Sequence, residues 1–218
     1  MVATAVNLSP LPPEVFDAIG PYVHACKMMG SMASQILGHT PKSLKVELAG
    51  GLADADPAPL LAAVLDGGLS YRRLGAFSAA NAESVASQHG ISVTTASVRD
   101  AGEYASSVRI VADEVEVAAT LFGTEHTPRI ISLMGYKIDI APATTSLVFE
   151  YVDAPGRIGV IGTILGDAAA NITTMQIGTK PEESCALVYM NVEGDVSEAV
   201  LDRLRGAIDL RNLWKITL

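Results

Sequence analysis

Apolar residues in the first stretch of the chain (Val15, Ile19, Val23, Met28, Met29, Met32, Ile36 and Leu37) recur at mixed three- and four-residue spacing. That period predicts a helix over 13–37, with Glu14 in its first turn after Pro12-Pro13, a kink or division at Pro21 and a stop at Gly38. "KSLKVELAG" (42–50) alternates Leu44, Val46 and Leu48 with polar neighbours, the mark of a half-buried strand. "PAPLLAAVLDGG" (57–68) predicts a short helix opened near Pro57 and ended by its glycine pair. "SAANAESVASQHG" (78–90) predicts another, with Ser78 as N-cap and Gly90 closing it. From 91 the period falls to two. "ISVTTASV", "ASSVRIVADE", "VEVAATLFG", "RIISLMG" and "YKIDIAP" are short β-rich runs, with hairpin turns expected in "ADEVEV" and at Met134-Gly135-Tyr136.

"APATTS" (141–146) has no bulky apolar residue and is the expected linker. Beyond it the pattern is regular. "SLVFEYV" reads as a strand, and 156–170 as a helix with Ile158, Ile161, Leu165 and Ala168 on one face. "ITTMQIGT" and "CALVYMNV" are strands parted by "KPEES". "DVSEAVLDRLRG" is a helix whose Asp195 and Glu198 fit a capping box, and "LRNLWKITL" is a last strand. The order βαββαβ over roughly 73 residues implies a four-stranded antiparallel sheet with both helices on one face. So small a unit has a thin core and open sheet edges, which pairing with another copy would cover. A homodimer or higher homo-oligomer is therefore expected. The expected fold class is α+β: a mixed or antiparallel sheet with packed helices over 13–141, then a ferredoxin-like domain over 146–218, with 1–12 as a linker or remnant of something upstream.

Composition narrows function more than fold. Of 218 residues, 49% are hydrophobic but only 5% aromatic, so the core must be built from Ala, Val, Ile and Leu. A net charge of -9 with no basic block speaks against a nucleic-acid partner. No apolar run approaches the ~18 residues of a membrane span. "MVATAVNLSPLPPE" lacks a basic start followed by a long apolar run, so no secretory leader is expected. Cys26 and Cys185, far apart, make no disulfide framework, and a reducing cytoplasm is the expected home. His24, His39, His89 and His126 form no H-E-x-x-H arrangement, "HAC" at 24–26 has no second pair, and no metal site is expected. Cys185, opening an apolar strand, is read as packing.

The richest stretch is "YVDAPGRIGVIGTILGDAAANI", from Tyr151 to Ile172. A dinucleotide fingerprint needs G-x-G-x-x-G, whereas Gly156, Gly159 and Gly162 are spaced by three. Only Gly156 lies in the turn. Gly159 and Gly162 fall inside the helix and are read as packing glycines that admit another backbone. What remains suits a free amino acid. Asp153 offers a carboxylate for an ammonium, Gly156 and Arg157 start a helix with outward N–H groups, and Asn171 has both donor and acceptor. The alternative is structural: Asp153 as a turn residue and Asn171 as a helix C-cap.

The same stretch resembles the ACT-domain motif, strand–"D-x-P-G"–helix–"N-I", most closely that at the C-terminus of D-3-phosphoglycerate dehydrogenases. "AVN" with the "P-Y" helix and "Q-I-L-G" (5–7, 21–38) is similar to the end of that enzyme's substrate domain. "SAANAESVASQHGI" and "LFGTEHTPRIISLMGYKIDIAP" resemble its intervening, allosteric substrate-binding domain in the long form of the enzyme. The resemblance implies an ACT domain that binds L-serine as feedback effector at a subunit interface, with the family's tyrosine, aspartate and asparagine falling on Tyr151, Asp153 and Asn171. It implies a phosphate-bearing anion in the intervening domain, for which Arg129, Lys137 and the pair Arg72-Arg73 are candidates, each also readable as a solvated surface cation. A further basic residue of some members is replaced by Ala141. Serine bound across two copies is expected to bias hinges near 141–146 and 5–12.

The catalytic and NAD-binding parts of such a dehydrogenase have no counterpart here. No G-x-G-x-x-G follows a strand, no nucleophile elbow is present, and no catalytic residue is assigned. The chain is expected to be a regulatory piece without a cofactor of its own, NAD belonging to the parent enzyme. Two other readings stand beside it. One is a subunit related to iron–sulfur L-serine dehydratases, for which the cluster cysteines and a serine/histidine-rich start are lacking. The other is a ligand-free dimerisation scaffold.

Overall fold

The computed structural model describes residues 13–72 and 81–218, with side chains from residue 19 onward. The expected remnant at 1–12, the hinge at 5–12, the Ser78 cap and Arg73 lie outside the described residues. The chain divides into two compact units, one reaching Met134 and one from Gly135 to Leu218.

In the first unit, α1 (Pro13–Leu37) carries Pro21 within it and buries Ile19, Met29, Met32 and Ile36 of the positions its periodicity marks, together with Tyr22 and Cys26, while Val23 of the marked set is exposed. Gly38 ends it in the left-handed region at φ 71°. Strand β1 (Ser43–Gly50) buries Leu44, Val46 and Leu48 as its alternation requires. Two helices follow, α2 (Ala58–Tyr71) and α3 (Ala82–Gln88), then β2 (Ser92–Val98). β2 runs parallel to β1, Ser43 opposite Ser92, which is possible because the helices carry the chain back across the sheet. β3 (Ser106–Ala112), β4 (Val115–Phe122) and β5 (Thr127–Leu133) are antiparallel neighbours, giving the order β2-β1-β3-β4-β5. The hairpin expected in "ADEVEV" turns at Asp113, φ 48°, whose carboxylate accepts from the Lys42 and Ser43 amides at 2.9–3.1 Å.

Helix α2 does not stop at its glycine pair; it continues through Gly67 and Gly68 to Tyr71. These glycines are contact residues. A Cβ on Gly67 would overlap the Lys27 carbonyl of α1, and one on Gly30 would overlap the Val64 carbonyl of α2. The two helices therefore meet backbone to backbone. Arg72, just beyond α2, fastens the pair by donating to the Ser34 hydroxyl and carbonyl, each at 3.0 Å.

The second unit holds β6 (Tyr136–Ile140), β7 (Thr145–Val152), α4 (Arg157–Asp167), β8 (Asn171–Lys180), β9 (Cys185–Glu193), α5 (Glu198–Ala207) and β10 (Leu210–Thr217). Its sheet is antiparallel in the order β10-β7-β9-β8, so the fold is α+β with the expected βαββαβ order from β7 on. Leu147, Phe149, Tyr151, Val188 and Met190 of the sheet pack against Ile161, Leu165, Val200 and Leu204 of the two helices. Two helix boundaries differ from the pattern. α5 opens after Ser197, not at Asp195, and Glu198 pairs with Arg205 at 2.8 Å instead of closing a capping box. α4 ends at Asp167, the chain turns at Ala169 (φ 55°), and Asn171 opens β8 instead of capping the helix.

The stretch 141–146 is tied down. Asn191 donates to the Ala141 carbonyl at 2.9 Å and accepts from the buried Ser146 hydroxyl at 2.9 Å. Beside it Tyr189 is wholly buried, and burial pushes its phenol up to about 12. Ser146 opposes that rise, and the Tyr189 hydroxyl has no hydrogen-bond partner among the described residues. No helix among the described residues is long and apolar enough to cross a membrane. No group of three or more His, Cys, Asp or Glu among them is placed to hold a metal.

Candidate functional site

β7 delivers Tyr151, Val152 and Asp153 to the start of α4 through the turn Ala154-Pro155-Gly156. Gly156 takes φ 88°, a conformation that L side chains avoid, and lets the chain swing directly into the helix. No side chain caps α4. The Arg157 amide donates to the Ala154 carbonyl at 3.5 Å, and the next amides of α4 face the turn with their share of the helix dipole, a place that favours negative charge.

Tyr151, Asp153, Gly156 and Arg157 line one open depression of about 440 Å³, closed on one side by Ile158, Gly159 and Ile177. Asp153 is exposed, and its carboxylate has no hydrogen bond or ion pair among the described residues. Its amide donates to the Ser184 carbonyl at 3.0 Å, which fixes the backbone while the side chain stays open. Tyr151 is 2% exposed; burial raises its phenol, Asp153 adds to the rise and Arg157 opposes it. Arg157 donates to Asp209 at 2.6 Å while its Nε lies buried without a partner among the described residues. The site thus combines an open carboxylate with a cluster of N–H donors, complementary to a small zwitterion. Ile177 lines it and Asp209 holds the Arg157 that lines it, although no sequence signal ties either to the Asp153 turn. They come from β8 and from the residue before β10.

Asn171 is not in this depression. It lies past the far end of α4, whose 11 residues span roughly 16 Å. Asp153 and Asn171 of one chain are therefore too far apart to hold the same serine-sized molecule. Gly159 and Gly162 have nothing within 4 Å of where a Cβ would stand, so no backbone among the described residues packs on them.

The anion candidates differ in their surroundings. Arg72 spends two donors on Ser34. Arg129, on β5, lies 5.6 Å from the centroid of the Phe122 ring. Lys137, on β6, is exposed. An apolar cavity beneath α1 and α2, of about 20 Å³, has room for a water-sized guest at most.

Residues 18–134 match the family model for the D-3-phosphoglycerate dehydrogenase intervening domain. The chain is 24% identical over 220 residues to the D-3-phosphoglycerate dehydrogenase of Methanocaldococcus jannaschii, covering all of this chain and 42% of that protein. It is 27% identical over 209 residues to the same-named protein of Mycobacterium tuberculosis, covering 94% and 40% respectively. It is 27% identical over 220 residues to that of Bacillus subtilis, covering 100% and 42%. The family match spans just over half of the chain, and the chain belongs to the D-3-phosphoglycerate dehydrogenase intervening-domain family. It spans about two fifths of the length of these relatives.

Proposed function

We propose that this chain is the regulatory end of a D-3-phosphoglycerate dehydrogenase, in which the second unit is an ACT domain that binds L-serine between two copies. The parent enzyme would take 3-phosphoglycerate and NAD into the first step of serine synthesis in the cytoplasm, and this piece would bring neither cofactor nor catalytic residue. The observation that carries the reading is the unpartnered Asp153 carboxylate beside the uncapped start of α4. Asp153 would accept from the serine ammonium, and the first amides of α4 would donate to its carboxylate. Asn171 would come from the other copy, because α4 separates it from Asp153 of its own chain. Two copies with their α4 helices antiparallel would bring each Asn171 to the other's Asp153, with Gly159 and Gly162 leaving space for the approach.

Calorimetric titration with L-serine, glycine and 3-phosphoglycerate tests this. Saturable binding of serine, one molecule per chain, is expected. Silence for every amino acid would favour the ligand-free scaffold. In the first unit, Arg129 remains the candidate for a phosphate-bearing anion, and Arg129→Ala should abolish any phosphate-dependent rise in melting temperature.

A further inference from the structure

Strand β6 is where the polypeptide enters the second unit, and four contacts seat it on that unit's own sheet. Gly178 of β8 makes room for it: a Cβ there would stand 2.8 Å from the Lys137 carbonyl oxygen and 2.9 Å from Tyr136 Cβ. Tyr136, fully buried, donates its hydroxyl to Glu150 of β7 at 2.9 Å. The Lys180 ammonium lies 4.2 Å from the centroid of the Tyr136 ring, within range of the attraction between a cation and an aromatic face. Asn191 holds the Ala141 carbonyl just beyond β6.

One of these contacts also touches the Asp153 turn. Lys180 closes β8, and the short turn 181–184 leads from it to Ser184, whose carbonyl accepts the Asp153 amide. That turn has little slack. Pro181 opens it, Ser184 sits in the left-handed region at φ 51°, the Ser184 amide donates back to Pro181, and Glu183 lies 3.9 Å from Lys180. Val152, next to Asp153, is paired with Cys185 across the sheet.

We infer that Lys180 and Tyr136 form a positioning latch between the Asp153 turn and strand β6. The inference rests on the proposal that the Asp153 turn is an effector site. A ligand that pulls on Asp153 shifts Ser184 and the 181–184 turn. Lys180 moves with that turn, and its fit over Tyr136 sets how firmly β6 is seated. Coupling of this kind is reciprocal, so loosening the latch must also be felt at Asp153 without any ligand.

Amide hydrogen exchange by NMR on the whole chain tests it, with Lys180→Met, which keeps the side-chain length and removes the charge. Without ligand, the amides of Tyr136–Ile140 and of Asp153 are expected to exchange at least threefold faster in the variant. Tyr136→Phe, which breaks only the bond to Glu150, should loosen Tyr136–Ile140 and leave Lys180 over the ring. L-serine should change exchange at Tyr136–Ile140 in the wild type and not in Lys180→Met. Unchanged exchange at Tyr136–Ile140 in ligand-free Lys180→Met, or a serine response that survives there, overturns the latch. If the wild type binds no serine, the ligand-free comparison still decides the latch, and that failure counts against the effector reading alone.

Discussion

Gly30 of α1 and Val64 of α2 touch backbone to backbone, with no room for a Cβ on Gly30 beside the Val64 carbonyl oxygen. The glycines of α4 show the opposite: Gly159 and Gly162 are helical and have open space where a side chain would go. The two sets should respond with opposite sign to the same substitution. Gly30→Ala forces the helices apart and should cost about 1–3 kcal/mol in urea unfolding. Gly159→Ala gains helix propensity and should stabilise the monomer by about 0.5–1 kcal/mol. If α4 faces a second copy, the same Gly159→Ala must weaken self-association, which sedimentation equilibrium reads directly.

The distance from Asp153 to Asn171 along α4 gives a complementation test. Asp153→Ala and Asn171→Ala should each weaken serine binding at least tenfold with the melting temperature unchanged. In an equimolar mixture, mixed dimers would carry one site that has lost both residues and one that has kept both. Calorimetry of the mixture should then recover a fraction of wild-type-affinity sites. No recovery, in a mixture shown to exchange subunits, means that the two residues do not share a ligand across chains.

Asn191 holds together a buried polar set, accepting from Ser146 and donating to the Ala141 carbonyl. Asn191→Ala strips both of their partner, and Ser146 is fully buried. Its expected cost is about 1–3 kcal/mol in denaturant unfolding, against less than about 0.5 kcal/mol for a change at an exposed site such as Glu193.

Asp113 should make the first unit acid-sensitive. Burial works to raise its carboxyl, but the Ser43 and Lys42 amides and the Ser43 hydroxyl prevail and hold it below its ordinary value. A depressed folded pKa stabilises above the unfolded value of about 4, and that contribution fades as pH falls through the folded one. Asp113→Asn keeps a residue that tolerates φ 48° and removes the charge. The variant should be less stable than the wild type at neutral pH, and the gap should close progressively below pH about 4 in denaturant unfolding.

Where the sequence could be read, local chemistry agreed with tertiary packing. The strands from β3 on alternate or run apolar and are closed by residues that accept left-handed backbone, Asp113 and Met134-Gly135 among them. The Asp153 turn was legible for the same reason, since Pro155-Gly156 after a strand can do little except turn. Errors came where one residue type serves two ends. Gly67-Gly68 looks like a helix stop in one dimension and proves to be the contact face of a helix pair. Asn171 looks like a C-cap, but the turn is completed two residues earlier by Ala169, which has no signature for it. Arg72 carries a charge that suggests an anion, and only the fold reveals Ser34 beneath it.

The parallel pairing of β1 with β2 has a consequence for how the chain reaches this shape. β3, β4 and β5 find one another through short turns, whereas β1 must close long excursions of chain to meet either of its neighbours, β2 on one edge and β3, later still in sequence, on the other. Closing those excursions is the entropically expensive event of the first unit. The meander is expected to form first, with 43–50 and 92–98 acquiring protection last in a pulse-labelled refolding experiment. Until then both edges of β1 are bare, the moment at which this fold is most exposed to pairing with the wrong strand.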